Sequence, residues 1–147
     1  MTLDSLLAIH KLVRQSPDKA GIGRLLGAAD RNLADAKLQA LSADNRFDAA
    51  YKSIMQCAMV ALWAKGYRTS TSQPGHHQTA IQTLPKTLGV SAQTVIVLDA
   101  LRKQRNASDY EGDPVSGKAL DSCLQEVGTL RAMLQQWLES EYPELVD

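Results

Sequence analysis

The sequence predicts an all-α protein, an up-and-down bundle of four to five helices. Three observations carry this reading. Nearly every long segment repeats its apolar residues at three- and four-residue spacing, none alternates apolar and polar residues as a half-buried strand does, and breaks containing Pro, Gly or Ser separate the segments. With 147 residues, 44% of them hydrophobic and 22% charged, the composition is that of one globular domain rather than a disordered or fibrous chain.

The first helix is expected from about Leu3 to Gln15, stopped by Ser16 and Pro17, and the second from about Gly23 to Leu41, with Leu26, Leu33, Ala36 and Ala40 on its apolar side. Gly21, Gly23 and Gly27 weaken the start of this second helix. Ser42 or Asp44 can cap a third helix, to about Lys65, along the stripe Phe47, Tyr51, Ile54, Ala58, Ala61 and Leu62. Met55, Cys57, Met59, Val60 and Trp63 widen that stripe almost all round, so this helix should be the central one. Gly66 ends it, and Tyr67 to Gly75 reads as an exposed loop. A shorter helix runs from His76 to about Leu88, interrupted by Pro85. Ser91 caps the next, to about Ala107, with Val95, Leu98, Arg102 and Arg105 along one seam. After the loop Asp109 to Gly117, the last helix opens at Ser116 and carries Leu120, Cys123, Val127, Leu130, Leu134 and Trp137 at strict three-four spacing.

Composition narrows the function classes. Sixteen basic residues balance sixteen acidic ones, so no overall field draws the protein onto nucleic acid or a membrane. The distribution is uneven: up to Ser108 the chain carries 14 Lys and Arg against 7 Asp and Glu, and from Asp109 onward 2 against 9. Ordinary solvated helix faces account for this, and so does a basic patch on the middle helices. The most apolar run, Ile54 to Ala64, is far short of the roughly 18 residues of a membrane span, and no secretory signal is read at the N-terminus; the expectation is a cytoplasmic protein with no membrane association. Cys57 and Cys123 lie in apolar helical patterns and are expected to be inert core thiols.

Few residues offer chemistry. The glycines from Gly21 to Gly27 have the wrong spacing for a phosphate-cradling loop. His76 and His77 are adjacent on a helix and so point about 100° apart, with no third ligand within a turn; neither a metal nor a cofactor is expected. The densest feature is the end of the fifth helix, Leu101 to Tyr110, where Arg102, Lys103 and Arg105 fall within one turn, followed by Asn106. A helix C-terminus stabilises cations, which alone could explain them. Arg105 on the apolar seam must also find a carboxylate, carbonyl or phosphate, because an unpaired buried guanidinium costs several kcal/mol. Asp99, Asp109 and Glu111 are candidate internal partners.

From about Ala29 to Glu139 the sequence resembles the HEPN domain family, small helical bundles of prokaryotic toxin–antitoxin, defence and nucleotidyltransferase-linked systems. The likeness lies in Arg31 to Ala36 of the second helix, Arg46 to Tyr51 opening the third, His77 starting a shorter helix after a loop, and the turn from Leu101 to Tyr110. It implies one domain over 1–147, with a HEPN-like core at 29–139 and an extra N-terminal helical segment at 1–28. In family members that cut RNA, an Arg and a polar residue are followed, after four to six intervening residues, by a His, and dimerisation joins two copies into one site. Arg105 and Asn106 match; the His positions hold Tyr110, Glu111 and Gly112 instead. Unperturbed Tyr titrates near 10, far from the neutral range that suits acid–base cleavage.

The resemblance therefore implies a homodimeric module binding a nucleic-acid or nucleotide phosphate through Arg102, Lys103, Arg105 and Asn106. Two alternatives accompany it. One is a metal-independent endoribonuclease using Arg105, Asn106 and Tyr110, or His77 in place of the missing base. The other is a noncatalytic interaction subunit of a nucleotidyltransferase-like antitoxin partner. Such partners can modify a tyrosine near the motif, although Tyr110 occupies the place of the His itself rather than following it by two residues.

Overall fold

The computed structural model describes residues 1–147 as an all-α helical bundle with one small sheet. The order is α1 (Leu3–Ala8), β1 (Leu12–Arg14), α2 (Lys19–Ala36), α3 (Ala43–Ala64), β2 (Tyr67–Thr69), α4 (His76–Thr87), α5 (Ala92–Glu111) and α6 (Gly117–Glu141), closed by a 3-10 turn, Pro143–Leu145. No helix is long and apolar enough to cross a membrane.

Helix α3 is the centre, as its wide stripe predicts. Ser42 accepts from the Asn45 amide at its start, and Phe47, Tyr51, Ile54, Cys57, Ala58, Val60, Ala61 and Leu62 are all buried. Helices α2, α4, α5 and α6 pack around it. From α6 come Leu120, Cys123, Val127, Leu130, Leu134 and Leu138; the last of these, rather than the half-buried Trp137, completes the stripe. Each large side chain withdrawn from water contributes roughly 1.5–3 kcal/mol. Both cysteines are free, and burial pushes each thiol up to about 12, which leaves the sulfur protonated and inert.

The N-terminal segment departs from the expected helix. The helix begun at Leu3 stops at Ala8, His10 takes a left-handed φ of 63°, and Leu12 to Arg14 form a strand antiparallel to Tyr67 to Thr69. The pairs are Leu12 with Thr69, Val13 with Arg68 and Arg14 with Tyr67. Leu12 is thereby sealed against Leu6, Leu62 and Tyr67, a burial that a continued helix would forgo. The same pairing turns the start of the expected exposed loop into a strand with buried Tyr67 and Thr69, followed by buried Ser70. The anticipated boundary between residues 28 and 29 falls inside α2.

Helix α2 starts at Lys19, four residues before the expected Gly23, because Asp18 caps it by accepting from the Gly21 amide at 3.0 Å. It ends at Ala36 rather than Leu41, leaving Ala40 exposed beyond its end. Gly21 is a point of close approach: the Trp63 ring lies where a Cβ would stand, and its indole Nε1 donates to the Ser16 carbonyl at 2.8 Å. Gly23 meets nothing. In α4, Pro85 sits inside the helix, which continues to Thr87 instead of being interrupted. Two polar ties complete the frame: Arg131 of α6 holds Asp30 of α2 with both carboxylate oxygens engaged at 2.8 and 3.2 Å, and Asp44 accepts from the Val115 amide at 2.8 Å.

The two glycines separate these roles. Gly21→Ala is expected to destabilise the protein by about 1–3 kcal/mol through overlap with Trp63. Gly23→Ala is expected to stabilise it by roughly 0.5–1 kcal/mol, because an exposed helical glycine gains only rigidity. Urea unfolding of both variants checks the opposite signs.

Candidate anion site on helix α5

Helix α5 runs through the whole Leu101 to Tyr110 segment and ends only at Glu111, where Gly112 adopts φ 74° and returns its amide to the Ala107 and Ser108 carbonyls. The expected end at Ala107, and the turn expected up to Tyr110, are therefore body of the helix. Arg102, Lys103 and Arg105 lie before the last turn, which holds no basic residue, so the helix dipole does not account for them. Only Leu98 and Leu101 of α5 are fully buried, and this shallow seat admits arginines on the inner side.

Each cation has a carboxylate. Arg102 donates through Nε to Asp99 at 2.9 Å, which holds the Asp99 carboxyl below its ordinary range, and Lys103 stands 3.5 Å from the same group. Arg105 Nε lies 2.9 Å from Asp109 and 3.8 Å from Asp48 of α3. The approach to Asp109 is off the N–H axis, since this buried Nε has no hydrogen-bond partner; the pairing is Coulombic. The arginine is nonetheless not enclosed. Its side chain keeps 22% exposure, and its only hydrogen bond runs from one Nη to the Asn106 amide oxygen at 3.4 Å.

Tyr51 meets Arg105 here, and His77 joins through it. The Arg105 guanidinium stands 5.6 Å from the centre of the Tyr51 ring on α3. On that ring's hydroxyl, 3.3 Å away, is Nδ1 of His77 from the first turn of α4. Burial foremost, opposed by the attraction of Arg105 and Arg102, pushes the Tyr51 phenol up to about 12, so it keeps its proton. Burial also lowers His77 below its ordinary 6.5, assisted by His76, Arg105 and Arg102, so the ring is neutral at pH 7. When Nδ1–H donates to Tyr51, Nε2 is left bare, the form that accepts a proton.

The sequence-predicted residues are thus brought together unevenly. Arg102, Lys103, Arg105 and Asn106 cluster on α5, His77 joins through Tyr51, and Tyr110 points away from the group at 79% exposure. Asp48 and Tyr51, three residues apart on α3 and hence on one face, complete the cluster; the polar Asp48 beside an apolar stripe is the sign that could have marked them. His76 packs edge-on against His77, and no group of three or more His, Cys, Asp or Glu side chains converges as a metal-holding set. No protein-family model and no curated protein matches the chain.

The depressed His77 fixes a pH dependence. A native ring that resists protonation adds stability that is complete above the unfolded value of 6.5 and is lost as pH falls to the lower folded value. The His77 resonance in a proton NMR titration is expected to turn over below 6.5, and to move upward in Arg105→Ala as one repelling cation is removed. Urea unfolding at pH 7.5 and 5.5 should show a smaller acid loss in His77→Gln than in the wild type.

Proposed function

We propose that the protein is a HEPN-like helical module that pairs as a homodimer and binds a nucleic-acid or nucleotide phosphate through Arg102, Arg105 and Asn106, in a toxin–antitoxin or defence-type system. The observation that supports it is Arg105: a guanidinium set between helices, with its Nε beside two carboxylates and its Nη edge open beside Asn106. A guanidinium edge matches two phosphate oxygens, and the neighbouring amide supplies a further donor. The three α5 cations face three carboxylates, Asp48, Asp99 and Asp109, so the resting site has no net charge. Asp109 is the carboxylate to be displaced, because it lies near the exposed end of α5 and is bound to Arg105 by charge alone.

His77 favours one second reading, a metal-independent endoribonuclease. A neutral imidazole at the hydroxyl of Tyr51, over whose ring Arg105 stands, supplies the acid–base group that the α5 motif lacks. Tyr110 is the weaker substitute, being largely exposed and in no hydrogen bond to the cluster.

Binding of a short single-stranded RNA is expected to weaken about tenfold or more in Arg105→Ala and to strengthen in Asp109→Asn, with helical circular dichroism unchanged. Equal affinities in all three proteins would overturn the phosphate reading. Incubation with RNA in EDTA tests the second: cleavage abolished by Arg105→Ala and by His77→Ala supports the enzyme, and intact RNA excludes it. Sedimentation of the concentrated protein reads the pairing, and a strict monomer counts against a composite site.

A further inference from the structure

A concavity opens beside His77, which is one of its lining residues. It holds about 470 Å³ between α3, β2 and the start of α4, within the size range of small-molecule pockets. One wall is apolar: Met55, Met59 and the Trp63 ring from α3. Trp63 is fixed rather than merely present, because its ring lies on the backbone of Gly21 and its Nε1 is held by the Ser16 carbonyl. Met59 is left 40% exposed, unusual for a large apolar side chain in the middle of the central helix. The rim is of the opposite character. Arg68 projects from β2 and forms no ion pair, while His76 and His77 bring imidazoles. No Asp or Glu lines the groove. Helix α4 begins here at Gly75 without a capping side chain, unlike α2, α3, α5 and α6, and its uncapped amides add partial positive charge to the same rim.

We propose that this groove is a binding site for a small aromatic monocarboxylate. An immobile indole and two thioethers form a surface that prefers a flat aromatic body to a flexible chain, since rings stack on indole and sulfur packs well against ring edges. The anionic group pairs with Arg68, whose planar fork matches two carboxylate oxygens. A single permanent cation suits a single negative charge; a nucleoside polyphosphate would bring several negative charges to one guanidinium. The α4 amides supply the remaining donors.

The test uses the full chain and 2-naphthoate, followed by calorimetry and, in a Trp137→Phe background, by quenching of the remaining Trp63. One naphthoate is expected per chain, with Arg68→Gln weakening it about tenfold or more, the value of a charge-assisted bidentate pair. Met59→Glu is expected to abolish binding by placing a carboxylate in the wall. Arg24→Gln, an exposed arginine outside the groove, should bind as the wild type does. On the wild-type protein alone, the uncharged 2-naphthamide and the aliphatic octanoate should each bind at least about tenfold more weakly than naphthoate. Absence of saturable binding at millimolar naphthoate overturns the proposal, as does an amide or octanoate that binds as tightly. So does an Arg68→Gln protein of native circular dichroism with undiminished affinity.

Discussion

Helix α3 is apolar around most of its circumference, and water must be kept from nearly all of it. Four helices and the β2 strand meet that requirement by packing on α3, and the remaining elements arrange themselves around those. The short N-terminal sheet belongs to the same constraint: Leu62, near the end of α3, is covered by Leu6, Leu12 and Tyr67, which only the β1–β2 pairing brings together. The fold is therefore organised around one buried rod, in which closely packed small residues such as Ala50, Ala58 and Ala61 let the neighbouring helices approach.

That rod also decides where polar groups can exist. A polar side chain on α3 must find a partner or face a desolvation cost of about 1–3 kcal/mol, and each buried one does. Ser53 donates to the Ala29 carbonyl at 2.8 Å, and Tyr51 shares its hydroxyl with His77. Asp48, half-buried one turn earlier, faces Arg105. The candidate anion site is thus the place where the polar edge of α3 meets the shallowly seated α5. Its carboxylates serve the folded state as counter-charges, so Arg105 has charged partners already in place.

The groove that His77 lines beside Trp63 has the reverse composition, a wide apolar wall with a cationic rim. His76 and His77 at the start of α4 line the groove, and Gly75 there supplies no capping side chain. His77 both lines the groove and meets the Tyr51 hydroxyl, and it is neutral because burial and neighbouring cations oppose its charge. A single imidazole therefore touches Tyr51 of the α5 cluster and lines a groove with an apolar wall.

Periodicity and caps alone established the bundle, the central place of α3, the Ser91 and Ser116 starts and the α6 stripe as far as Leu134, because these depend on spacing and on hydrogen bonds within a few residues; the choice of Ser42 over Asp44 as the α3 cap came with the structure. The clustering of Arg102, Lys103, Arg105 and Asn106 followed from helical geometry in the same way. Distant contact decided the rest. Leu12 to Arg14 became a strand because Tyr67 to Thr69, more than fifty positions on, supplied its ladder, and Gly21 became an indispensable gap because Trp63 came to lie on it. The company of Arg105, namely Asp48, Tyr51 and, through Tyr51, His77, was likewise set by packing between helices, since side chains on separate helices have no spacing rule that relates them before the helices dock.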